Sequence, residues 1–362
     1  MPESHAKSKP KLHSYWTGLK TTSSAPQEIA AVRSVYRGRG WEIRFVPDRD
    51  WLPGAPKRLR RKLARTGMKS WELQIHAASL EAAFYVADLL YAARSILEAP
   101  PVERLIGGWE PFIPVPEDKK EMMSLAPNVQ SELAHRRSSF HMNTSGLPDA
   151  AEVACSLARR VRLRNAAFKF LLSSYLFSVH HMDLRPGAHS ASEFRAMRPV
   201  HAIWFAQALF AAYGVVEELR VTPNASSARP SLQPDGSWNP PVRADLEGRL
   251  KQIGIGDTER LYWHVRGKAR SMEQRGALKR IATSPRGKWN QGEVRDVELL
   301  FIDAINIANY LRSNQAAHVG GGSDLTAIDV ANVQQLGRHL LLHAVRFHFW
   351  RNQREPAHRA RP

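Results

Sequence analysis

"GEVRDVELLFIDAINIANYLRSNQAAH", residues 292–318, running on through Val319 to Gly320–Gly322, is the stretch on which the fold turns. Val297, Leu300, Phe301, Ala304, Ala308 and Leu311 recur at steps of three and four, the spacing of one apolar stripe on a helix. The pattern predicts a single long helix over 292–318, ended by the glycines. Arg312 lies beside that stripe, and His318 follows after five intervening residues. At about 100° per residue the two side chains stand about 120° apart on a straight helix. They meet only if the helix distorts before the glycines, or if two chains pair this helix across a two-fold axis. Two readings stand: an arginine–histidine site at a helix end, or a helix-capping histidine beside a solvated arginine.

The helical period continues on both sides. "PDAAEVACSLARRVRLRNAAFKFLLSSYLFSVHHM" (148–182) opens on Pro148-Asp149, and residues 190–221, 243–253 and 326–350 carry similar patterns, so everything after residue 148 reads as helical. The segment 222–242 is turn-rich. Toward the N-terminus the period changes. "GWEIRF" (40–45) and "SWELQIHA" (70–77) alternate apolar and polar residues as half-buried strands do. A helix is expected over 79–99, with Ser79 as N-cap and Pro100-Pro101 as the stop. The expected architecture is mainly α. It has a disordered basic tail (1–28), a small α/β module in the N-terminal third (30–100) and a proline-bearing connector (101–147). A helical linker region (148–189), a helical bundle in the C-terminal half (190–350) and a basic tail (351–362) follow.

Lys plus Arg outnumber Asp plus Glu by 52 to 34, a net charge of +18. Such a surplus points to a polyanionic partner, nucleic acid first (RNA ahead of DNA) and an anionic membrane surface second. It is concentrated in residues 1–70, which hold 16 Lys plus Arg against 5 Asp plus Glu. Lys57, Arg58, Arg60, Arg61, Lys62 and Arg65 form its densest run. Trp41, Phe45, Trp51 and Trp71 interleave with these cations, so arginines on phosphate and aromatics stacked on bases would suit nucleic acid. The alternatives are a solvated basic tail, and a core role for Trp41 and Trp71. Arg159, Arg160, Arg162 and Arg164 suggest a second basic surface, on one helix face.

In its helical setting, "LRSNQAAHVG" resembles the signature of the HEPN family, all-α domains with an arginine, four to six residues and a histidine near the end of a long helix. An alanine before the histidine, a nearby glycine and a further amphipathic helix after a loop belong to the same resemblance. The polar position after the arginine is Ser313 here, followed by Asn314, and Val319 separates His318 from the glycines. The family implies a homodimer. It also implies metal-independent RNA cleavage by Arg312 and His318, in a toxin, anti-phage or RNA-processing role, with an antitoxin as a further partner. The residue types fit: imidazole titrates in the working range, and guanidinium presents a fixed fork to phosphate. The bare spacing also occurs at Arg136–His141, Arg195–His201, Arg338–His343 and Arg351–His358. Only 312–318 has a long helix before it and a glycine break directly after.

Glu217 and Glu218 end an apolar helix, and could orient Arg312 or His318 or simply face solvent. His339 and His343 stand one helical turn apart, a spacing compatible with zinc, but lack an acidic neighbour in sequence. His180, His181 and Asp183 fit a helix end better than a metal site. No cofactor or metal is expected. With Cys155 the sole cysteine, a disulfide framework and a cysteine zinc site are excluded, which suits a cytoplasmic setting. No apolar run is long enough to span a bilayer.

Overall fold

The computed structural model describes residues 11–23, 35–47, 69–97, 114–128, 130, 142–143, 146–183, 191–266, 294–316 and 325–345. The chain is mainly helical, with a small, mostly antiparallel sheet. It divides into two compact units, Met1–Glu98 with Gly108–Arg160, and Ala99–Gly107 with Val161–Pro362.

The first unit is a sheet with helices packed against it. Its strands are β1 (His13–Ser23), β2 (Val35–Gly38), β3 (Trp41–Pro47), β4 (Lys69–Ala77) and β5 (Val115–Pro116), in the order β2-β3-β4-β1-β5. Alternation decides which face is buried. Trp41, Ile43 and Phe45 of β3 register with Ala77, Ile75 and Leu73 of β4. Tyr36 and Tyr15 extend the row through Ile43 and Ile75, so four strands share one apolar surface. Helix α1 (Leu80–Leu97) covers β4 and β3, starting at Ser79, whose hydroxyl accepts from the Ala82 amide at 3.2 Å. The tight β2–β3 turn needs Gly40 at φ +79°, and a Cβ on Gly38 would collide with the Trp41 indole.

Three expectations fail in this unit. Residues 13–23, expected within a disordered tail, form a strand inside the sheet. Without it the second edge of β4 would lack backbone partners, and Tyr15 and Thr17 turn inward, Thr17 Oγ1 donating to the Leu73 carbonyl at 2.6 Å. Lysines and hydroxyl residues mask that alternation in the sequence. The connector is not an independent stretch either. It supplies β5, the short helix α2 (Lys119–Met123) and β6 (Met142–Asn143), which pairs parallel to β1. The helix expected over 148–182 is broken at Arg160, whose extended backbone (φ −131°, ψ 111°) caps α3 (Leu147–Arg159). Helix α3 packs on α1 and β2, so part of the supposed linker region belongs to the first unit.

In the second unit, α4 (Val161–Asp183) and α5 (Ala191–Glu218) pack antiparallel, and α8 (Ala327–Ala344) lies against both. A buried polar chain joins the three: Gln334 Nε2 donates to Ser173 Oγ at 2.9 Å, and Ser173 Oγ donates to the Ala208 carbonyl at 2.6 Å. Thr326 and Asp329 close a reciprocal cap at the start of α8. Helix α6 (Pro240–Gln252) follows the turn-rich loop, and Trp238 of that loop donates to Asp303 Oδ1 at 2.8 Å.

The stretch 292–318 is not one helix. It starts as strand β8 (Val294–Leu300), paired antiparallel with β7 (Arg260–Arg266), and becomes helix α7 only at Phe301–Tyr310. In β7, Leu261, Trp263 and Val265 are buried by alternation, and Trp263 registers with Val297. Pairing between strands far apart in sequence outweighs the local helical spacing of Val297, Leu300 and Phe301. Asn332 of α8 holds β7 in place, accepting from the His264 amide and donating to the His264 carbonyl, both at 2.8 Å. Among the described residues no helix is long and apolar enough to cross a membrane.

Candidate functional site

Arg312 sits on a π-helical turn, Leu311–Ala316, that continues α7. Leu311, the last residue of the apolar stripe, is buried and packs this turn toward α5. Wider turns of this kind recur at functional sites. The helix therefore departs from ideal geometry before the glycines, one of the two conditions for an arginine and a histidine to meet. His318 lies outside the described residues.

Helix α5 presents Tyr213 and Glu217 to Arg312. They are one helical turn apart and so share a face. Arg312 Cζ stands 5.9 Å from the centroid of the Tyr213 ring, and Arg312 Nη2 is 3.4 Å from Glu217 Oε1. The Tyr213 hydroxyl donates to Asn309 Oδ1 at 2.9 Å, which ties α5 back to α7 three residues before the arginine. Tyr213 is almost wholly buried. Burial raises its phenol pKa, Glu217 raises it further, and Arg312 partly offsets both. The phenol stays protonated and acts as a donor.

The magnitudes show a positioned but accessible cation. Each side of the Arg312–Glu217 pair is 43% exposed, and such pairs contribute about 0–1 kcal/mol. The ring contact adds about 0.5–1 kcal/mol. A guanidinium fork offers several N–H donors. A phosphate oxygen can therefore approach Arg312 and displace Glu217 at little cost.

Glu218 reaches Lys169 Nζ at 2.8 Å rather than Arg312. Ser313 is half-buried in the π-turn, and Asn314 belongs to the same turn. Lys57, Arg58, Arg60, Arg61, Lys62 and Arg65 lie outside the described residues. Arg159, Arg160, Arg162 and Arg164 do not form one helix face: the break at Arg160 leaves Arg159 ending α3, with Arg162 and Arg164 on α4. The first three are exposed and Arg164 is half-buried. Trp41 and Phe45 are each 4% exposed, so they are core residues of the sheet and cannot stack on bases. Trp71 is half-buried, and Trp51 lies outside the described residues.

His339 and His343 face Phe301 edge-on, at ring separations of 6.3 and 5.9 Å. Burial, helped by Arg338 and His343, pushes the His339 imidazole down to about 3, so it is neutral at working pH. His343 Nε2 lies 3.4 Å from Glu259 Oε2. Among the described residues no group of three His, Cys, Asp or Glu side chains is placed to hold a metal ion.

Two residues of the arrangement, Tyr213 and Asn309, were not singled out from the sequence. The one-turn spacing of Tyr213 and Glu217 on an apolar helix was a usable signal. Asn309 had none beyond its place three residues before Arg312. Comparison with known proteins finds no matching family model, no matching curated protein and no matching solved structure.

Proposed function

We propose that the chain is a metal-independent endoribonuclease of HEPN type, acting as a cytoplasmic homodimer in a toxin or anti-phage role. One observation carries the reading: Arg312 is partly exposed on a π-turn, braced by the Tyr213 ring and only lightly held by Glu217. That is the posture of a cation kept ready for a phosphate. In the proposed reaction His318 removes the proton from a ribose 2′-hydroxyl, and the 2′-oxygen attacks the adjacent phosphorus. The bond to the 5′-oxygen breaks, and that oxygen takes the proton back from the His318 imidazolium as it leaves. Arg312 neutralises the charge that builds on the phosphoryl oxygens. The products are a 2′,3′-cyclic phosphate and a 5′-hydroxyl end. DNA lacks the attacking group, so it binds without being cut.

A second reading, a non-catalytic nucleic-acid-binding or DNA-binding regulatory protein, draws on the exposed Arg159, Arg160 and Arg162. The two separate when purified protein is incubated with RNA in EDTA, beside an RNA carrying one 2′-deoxy residue at the cleaved position. The ribonuclease reading expects cyclic-phosphate ends from the first and none at that position from the second. Salt-dependent binding with no new ends leaves only the second reading.

A further inference from the structure

In the first unit, the edge strand β2 and one face of α3 enclose a cleft of about 660 Å³. We propose that this cleft binds a phosphate-bearing nucleotide, either free or as one residue of a single strand. Its size falls within the range of about 300–1,000 Å³ usual for small-molecule sites, and exceeds what a lone phosphate would fill. Glu152, Cys155, Ser156 and Arg159 line the helix side. Their offsets of three, four and seven residues place them on one face of α3. Val35, Tyr36 and Arg37 line the strand side.

The chemistry of the lining selects the ligand. Two guanidiniums face one carboxylate, so the cleft favours an anion. Arg37 is 73% exposed and pairs with Glu42 at 3.0 Å, but Arg44 holds the other Glu42 oxygen at 2.7 Å. Glu42 thus keeps a partner if Arg37 turns to a ligand, and an exposed pair of this kind costs about 0–1 kcal/mol to give up. Ser156 adds a hydroxyl donor. Glu152 offers acceptor oxygens for ribose hydroxyls or an exocyclic amine. Val35, half-buried at the strand edge, supplies the apolar side that a flat base needs. The Cys155 thiol is pushed up to about 11, mainly by burial, so it is neutral at working pH and adds no competing anion. Glu152 and Arg159 stand three and four residues from Cys155 on the same helix, so both charges lie on the side of the thiol.

Cys155, the sole cysteine, lines the cleft and is largely buried, so its alkylation reads how readily the cleft wall opens to reagent. The full chain is alkylated with uncharged N-ethylmaleimide at mildly alkaline pH. Runs are made alone and with 5′-AMP, a short oligoadenylate or inorganic phosphate. With nucleotide at about ten times its dissociation constant, alkylation slows about tenfold if the occupied cleft is unreactive. Protection by 5′-AMP marks a site that admits the free nucleotide; protection by the oligomer alone marks one that takes a strand. Arg159→Ala, at an exposed helix end, and Arg37→Ala each reduce protection relative to their own unprotected rates. Protection by neither nucleotide, equal protection by inorganic phosphate, or full protection in both variants overturns the proposal. The outcome does not depend on whether the protein cuts RNA.

Discussion

Tyr213 does two things at Arg312, and two substitutions separate them. Tyr213→Phe keeps the ring under the guanidinium and removes the hydroxyl that reaches Asn309 Oδ1 at 2.9 Å. Asn309 is half-buried and can partly rehydrate, so the lost bond costs about 1 kcal/mol. For a unit of this size that lowers the melting temperature by about 2–4 °C. Tyr213→Leu removes the ring as well. It adds a core-truncation cost of about 2–4 kcal/mol, and it deletes the 5.9 Å contact that braces Arg312. That contact is worth about 0.5–1 kcal/mol, which is about two- to fivefold in any affinity that depends on Arg312. Thermal melts and fluorescence anisotropy of a labelled RNA, both at one fixed low salt, read the two effects apart. The Phe variant should be slightly less stable with near-parental RNA affinity; the Leu variant should lose both. A folded Leu variant that binds RNA as tightly as the parent would refute the bracing role of the ring.

Other outcomes follow from the same geometry. Glu217→Gln should change stability by less than about 1 kcal/mol while raising RNA affinity by up to about fivefold, because it removes the carboxylate that competes with phosphate. Weaker RNA binding in that variant would mean Glu217 positions Arg312 rather than competes for it. For His339 the imidazole is held at about 3 in the fold, against about 6.5 in the unfolded chain. Between those values the unfolded state binds the extra proton, so stability falls as pH drops from about 6.5 toward about 3, by up to about 1.4 kcal/mol per pH unit. His339→Leu should flatten that acid slope in urea melts, and an unchanged slope removes this account of it. Asn332→Ala, which abandons both 2.8 Å bonds to the His264 backbone, should cost about 2–4 kcal/mol. A loss under about 0.5 kcal/mol, within the range of ordinary surface substitutions, would show that water replaces it.

Local patterns were legible where an element answers to its own residues. The alternation of "WEIRF" and "SWELQIHA" gave β3 and β4, and Ser79 caps the expected helix. The failures share a cause. Strand β1 and the β7–β8 pair depend on partners far along the chain: Tyr15 registers with Ile75, and Trp263 with Val297. In "VELLFIDA" the helical spacing of Val297, Leu300, Phe301 and Ala304 runs across a strand–helix boundary, so period alone cannot find it. The break at Arg160 involves no Gly or Pro. At the site, Arg312 and Glu217 were each singled out from sequence. The contact between them spans 95 residues, and no local pattern encodes the Tyr213 ring that braces the arginine.

The central claim is that Arg312 and His318 act together on one phosphodiester. Cleavage rates in EDTA for the parent, Arg312→Ala, His318→Ala and the double variant test it most directly. Each single change should lower the rate by about 10²–10³-fold, and the double variant should be no slower than the slower single, since groups acting as a unit are not additive. Parental cleavage in either single variant, or losses that multiply in the double, would contradict the account.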